Sequence, residues 1–139
     1  MADTGFHWGA WAFATKAAGG DWDASALADN ATTGSPALIS LDGKAGCEVG
    51  IALAEDNTGA IDGDVTVYVL GDTGIDEEEA TLNTPWSFTI RPIQNDVFYK
   101  RFNVDPGSYG SFEIAVKNES GQELAVSVKI RTATIPVAS

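Results

Sequence analysis

Between residues 97 and 133 apolar and polar residues alternate with a period of two through three successive runs. Phe112, Ile114 and Val116 fall on one side, with Ser111, Glu113 and Lys117 on the other. Leu124, Val126, Val128 and Ile130 then oppose Ser127, Lys129 and Arg131. Successive side chains of a strand point to opposite faces, so this period predicts antiparallel strands with one buried face. Asn118-Glu119-Ser120-Gly121 supplies the turn between the last two runs, with Gly121 free to take positive φ. Asp105-Pro106-Gly107-Ser108 does the same before them.

The same reading extends upstream. A short strand is expected over 37–41, a turn at Asp42-Gly43-Lys44, and a second strand that buries Val49, Ile51 and Leu53. A third lies within 61–70, where Val65, Val67 and Val69 alternate with Thr66 and Tyr68. Trp86, Phe88 and Ile90 mark a fourth, ended at Arg91-Pro92 because proline cannot donate to a ladder. A fifth runs over about 97–104. The expectation is all-β: about seven short strands in two packed antiparallel sheets, an immunoglobulin-like or jelly-roll-like β-sandwich over 37–139.

Residues 1–36 differ in kind. Gly, Ala, Ser, Thr and Asn dominate, yet Phe6, Trp8, Trp11, Phe13 and Trp22 are embedded among them. Polar tracts of this composition bury too little apolar surface to offset chain entropy, and they normally lack large aromatics. The segment therefore reads as an extended N-terminal arm whose five aromatics are candidate partner-binding residues, since clustered exposed aromatics mark partner surfaces. Its other fate is to fold back over the domain's own edge strands. Residues 24–29 suit a helical turn, and Gly34-Ser35-Pro36 closes the arm.

Composition narrows the function. A chain of 139 residues is one domain in size, and its 15 glycines and single Met suit a turn-rich β protein. The formal charge of −12 is unevenly held: residues 1–80 contain 15 of the 20 acids and two bases, whereas 81–139 contain five acids and six bases. Such a chain repels phosphate backbones, which excludes nucleic acid as a partner. Asp62, Asp64, Asp72 and Asp76 lie in acidic loops that either are simply solvated or bring carboxylates together for calcium, although the EF-hand spacing is absent.

Catalysis finds little support: His7 is the only histidine, Cys47 the only cysteine, and no nucleophile elbow or phosphate loop occurs. A non-enzyme without a cofactor is expected. No signal-peptide pattern and no long apolar run is present, so the expectation is a chain that is neither exported nor membrane-embedded. The lone cysteine suits a reducing cytoplasm. Asn30-Ala-Thr32 and Asn118-Glu-Ser120 match glycosylation acceptors but are read as ordinary loop residues. Trp86, Tyr68, Tyr99 and Tyr109 are the candidate platforms for a sugar-binding alternative.

Asp105-Pro-Gly-Ser-Tyr109 ahead of a strand resembles the tyrosine corner of immunoglobulin-like domains, D-x-G-x-Y-x-C, with Ser111 where the Cys would stand. The overall plan, a small acidic β-sandwich with an aromatic arm, resembles bacteriophage virion proteins of the decoration (cement) type. That resemblance implies a structural protein bound through its arm to the outer surface of the phage capsid, with the sandwich facing solvent. Its partners would be the major capsid protein or other virion subunits, with its own copies repeated on a symmetric lattice. Its location would be the virion, assembled in the host cytoplasm. The alternatives are a carbohydrate-binding β-sandwich module or another phage component such as a tail tube, collar or fibre protein.

Overall fold

The computed structural model describes residues 5–15, 20–32, 39–55, 59–71, 86–106 and 110–135. Ten strands follow in order: β1 (His7–Trp8), β2 (Ala12–Phe13), β3 (Ser25–Leu27), β4 (Ile39–Ser40), β5 (Gly46–Ala54), β6 (Val65–Gly71), β7 (Trp86–Ile90), β8 (Val97–Asn103), β9 (Ser111–Asn118) and β10 (Leu124–Thr134). Among the described residues there is no helix, and hence none long and apolar enough to cross a membrane.

One sheet runs β10, β5, β8, all antiparallel. On the other side of β10 the arm pairs three times, with His7 opposite Thr134, Ala12 opposite Ile130 and Ser25 opposite Val126. The three arm strands thus share one position in the sheet. The second sheet has the order β4, β9, β6, β7. Among the described residues, with the three arm strands counted as one, this is a four-on-four sandwich in which every connection except β6 to β7 passes from one sheet to the other. Such an order is the double Greek key of a jelly roll, not the arrangement of an immunoglobulin domain. Of the two sandwiches the sequence left open, pairing selects the jelly roll. Tyr109 of the tyrosine corner lies outside the described residues.

The seven strands expected from alternation correspond to β4–β10, and the arm adds three. Residues 24–29, expected as a helical turn, instead contain β3. Its backbone N–H and C=O groups pair with Leu124–Val126, so a partner about a hundred residues away outweighs local preference.

A single core lies between the sheets. Val49, Ile51, Leu53, Val126 and Val128 from one meet Val65, Val67, Val69, Phe112, Ile114 and Val116 from the other, all buried. Phe88 on β7 and Phe102 on β8 meet edge to face at 5.1 Å and help close one side of the sandwich. The polar side of β9 differs from expectation, because Glu113 and Ala115 are buried as well. β9 is a central strand, and Tyr68, in register with Ala115, packs with it in a small second cluster on the sheet's outer side.

Candidate functional site: the arm and the outer sheet face

Along β5, Cys47, Val49, Ile51 and Leu53 point into the core, so Gly46, Glu48, Gly50, Ala52 and Ala54 face outward. The register arranges this outer face in rows across β10, β5 and β8: Arg131, Glu48, Asn103; Lys129, Gly50, Arg101; Ser127, Ala52, Tyr99; Ala125, Ala54, Val97. The arm's aromatics lie on this surface. A Cβ at Gly46 would stand 3.2 Å from Cη2 of Trp8 and 3.3 Å from Cε2 of Phe6, and one at Gly50 would stand 3.6 Å from Cζ3 of Trp11. Two glycines in β5, one at its start and one in its interior, here leave space for indole and phenyl rings.

Charge fixes the rings in place. The Arg131 guanidinium is 4.6 Å from the Trp8 ring and 4.8 Å from Trp11, and its Nη2 donates to Glu48 Oε1 at 3.1 Å. Arg101 approaches the second oxygen of the same carboxylate at 3.3 Å. Lys129 sits over Phe13 at 4.4 Å. These cation–π contacts stabilise most where solvent is excluded, and the Arg131 and Glu48 side chains are only 24% and 13% exposed.

Of the five aromatics singled out in the sequence, four therefore gather on one sheet face. Phe6 is 51% and Trp8 37% exposed, while Trp11 and Phe13 are half-buried. Trp22 is separated from them: it is buried in the core, where it serves the chain's own interior instead of a surface. Between the two fates open to the arm, the described part is folded back along β10.

The far end of the arm is tied by polar contacts. Asn118, fully buried at the end of β9, donates its N–H to Ala31 O at 2.9 Å and accepts from Asn30 N–H at 2.7 Å. Its Nδ2 donates to Leu27 O and Gln122 O, and its Oδ1 accepts from the Ser120 amide and hydroxyl. Asn118 is thus a structural hub and not an ordinary loop residue. Buried side-chain amides are costly unless fully paired, and this one is paired on every side.

The acidic candidates do not converge among the described residues, where no three of His, Cys, Asp and Glu come together. Asp64 is ion-paired with Arg91 at 3.0 Å, Asp62 donates its backbone N–H to Ser120 O, and Asp72 and Asp76 lie outside the described residues. The Cys47 thiol is buried, and burial, followed by the nearby Glu48 charge, pushes its pKa up to about 11. His7 is exposed on β1.

Sequence reasoning missed an open trough of about 670 Å³ on the same outer face. Trp11 and Phe13 wall it on the arm side, Tyr99 and Arg101 on the β8 side, and its floor is Gly50, Ala52, Ala54, Ala125 and Ser127. Tyr99 is 75% exposed. Among the other aromatic platforms, Tyr68 is buried, and Tyr109 and the Trp86 side chain lie outside what is described. The available signal was the small-residue alternation Gly50, Ala52, Ala54, which does not reveal which strands flank it.

No family model matches this chain, and no curated protein matches it. Among solved structures it is similar to a chain of Tomato Aspermy Virus, at 12% identity and a TM-score of 0.43 over 96% of this chain and 80% of that one. It is also similar to a chain of Broad Bean Stain Virus, at 13% identity and a TM-score of 0.41 over 78% of this chain and 65% of that one. A chain of Bacillus endospore appendages, described as disulfide-linked pili, matches at 12% identity and a TM-score of 0.43 over 98% of this chain and 96% of that one. At these values the likenesses carry no statement about function.

Proposed function

We propose that this chain is a non-enzymatic structural subunit of a bacteriophage virion, a decoration protein held on the outer surface of the capsid by the tip of its arm. The observation that carries this reading is the apolar corner at that tip. Phe6 and Trp8 stack edge to face with centroids 6.2 Å apart, and the β1 register, continued by one residue, sets Ile135, 52% exposed, opposite Phe6. Gly46 and Arg131 hold the Trp8 ring, so the corner is ordered before any partner arrives, which lowers the entropic cost of binding. An exposed, pre-ordered aromatic pair is the usual form of an interface anchor.

Two further features support the reading. A formal charge of −12 suits a surface turned away from packaged DNA. Among the described residues the jelly-roll order leaves β8 as an edge strand with Lys100 and Arg101 along it, charged residues that discourage uncontrolled strand addition. Repetition on a symmetric capsid lattice would multiply a modest contact at each corner by avidity.

The test is a mass-spectrometric inventory of purified phage particles, followed by co-sedimentation of the recombinant chain with undecorated capsids. Wild type is expected to sediment with capsids and the Phe6→Ser, Trp8→Ser double variant to remain in the supernatant while keeping its β circular dichroism. Absence of the chain from purified particles overturns the reading.

A further inference from the structure

We propose that the trough on the outer face of the β10–β5–β8 sheet is a binding site for an acidic oligosaccharide, one whose sugars carry carboxylates. Its volume, about 670 Å³, lies within the ~300–1,000 Å³ typical of small-molecule sites. Tyr99 on one wall and Trp11 on the other offer aromatic faces on which the C–H face of a sugar ring packs. Beyond the Trp11 ring, which rests over Gly50, Ala52 and Ala54 put nothing larger than a methyl group above the sheet, so a flat ring can descend to the floor there.

Polar groups converge on the same space. Ser127 Oγ accepts the Ala24 N–H at 2.8 Å, which leaves its hydroxyl proton for a sugar oxygen, and the Asp23 carboxylate at the rim accepts sugar hydroxyls. The row Lys129, Gly50, Arg101 sets one cation on each side of the floor. Lys129 makes no ion pair among the described residues, and Arg101 shares Glu48 with Arg131, with its own side chain 66% exposed. Lys129, Lys100 and Arg101 against the single carboxylate of Asp23 leave the lining net positive in a chain of net charge −12, which selects a ligand with isolated negative charges.

Competing occupants fit less well. A peptide strand adds to a sheet through unpaired backbone at an edge, whereas the floor strand β5 is paired on both sides. Single-stranded nucleic acid also stacks on aromatics, but its continuous phosphate charge opposes that of this protein. The site is independent of the virion assignment: its centre at Ala52 is six residues along β5 from Gly46, about 20 Å at ~3.3 Å per residue. Both sites can be occupied together.

The experiment probes the purified full chain against an array of uronic-acid and sialic-acid oligosaccharides, with neutral and sulfated counterparts, and measures the affinity of each hit by calorimetry. Carboxylated glycans are expected to bind and their neutral counterparts not to. Tyr99→Ala should weaken binding by about tenfold or more, since a stacked aromatic is an anchor. Arg101→Gln should weaken it and flatten its salt dependence. Both side chains are largely exposed, so neither variant threatens the fold. The proposal is overturned by an array on which no carboxylated glycan binds, by preference for neutral sugars, or by binding that Tyr99→Ala leaves intact. It is equally overturned if sedimentation reveals a dimer that Tyr99→Ala dissociates, because a second copy then fills the trough.

Discussion

The guanidinium of Arg131 contacts the indole rings of both Trp8 and Trp11, 4.6 Å from one and 4.8 Å from the other, and donates to Glu48. One side chain on β10 thereby joins two points of the arm to β5. Arg131→Ala removes two cation–π contacts and leaves Glu48 with Arg101 alone, so a loss of roughly 2–4 kcal/mol is expected in urea denaturation. Arg131→Lys should recover only part of it, because a compact ammonium cannot at once reach two rings and a carboxylate as the broad guanidinium does. Equal stability of wild type and Arg131→Ala would show that the arm is not held by this residue.

Gly46 is where the arm's tip touches the sheet. Gly46→Val places a branched side chain where Cη2 of Trp8 and Cε2 of Phe6 now lie, and the rings must lift. Limited proteolysis should then cut N-terminal to Trp22 many times faster than in wild type, with the core strands still protected, because cleavage follows the population of the opened segment. An unchanged digestion pattern would contradict the packing described here.

Trp22 and Ile114 test the core. Trp22→Ala should cost ~3–5 kcal/mol and Ile114→Ala ~2–5 kcal/mol, the range for large-to-small changes at fully buried sites. Deleting residues 1–14 spares Trp22 and β3, so the shortened chain should remain folded, now with much of one β10 edge unpaired and a stronger tendency to associate. Size-exclusion chromatography reads the association, and chemical denaturation the stability.

Cys47 predicts an alkaline limit. Its native pKa of about 11 exceeds the 9.0 of the free thiol, so at intermediate pH the unfolded chain releases a proton that the native state keeps. The stability associated with the buried thiol is full below about pH 9 and declines as pH rises towards 11, by on the order of 2–3 kcal/mol in all. Unfolding midpoints at about pH 8 and pH 10.5 should therefore diverge more for wild type than for Cys47→Ala. Ellman's reagent should also react with the native chain only as fast as it opens.

Much of this architecture is local in origin. Residues 49–53, 65–69, 86–90 and 112–116 carry their strand character in side-chain alternation, because the period of two belongs to the extended backbone itself and needs no partner to be visible. Gly121 likewise declares its turn, with φ of 91°. The sequence by itself therefore determined an antiparallel all-β sandwich and the aromatic character of the arm. Only tertiary structure decided what the arm does, which sandwich forms and where a trough opens. The contacts responsible join Ser25 to Val126, Trp11 to Gly50 and Ala52 to both Ser127 and Tyr99, residues far apart in the chain. Such pairings gain their free energy from hydrogen bonds and burial that exist only once the sheets have closed. That is why Ser25–Leu27 becomes a strand against its local preference and why Asn118, read locally as a turn residue, is buried as a hub.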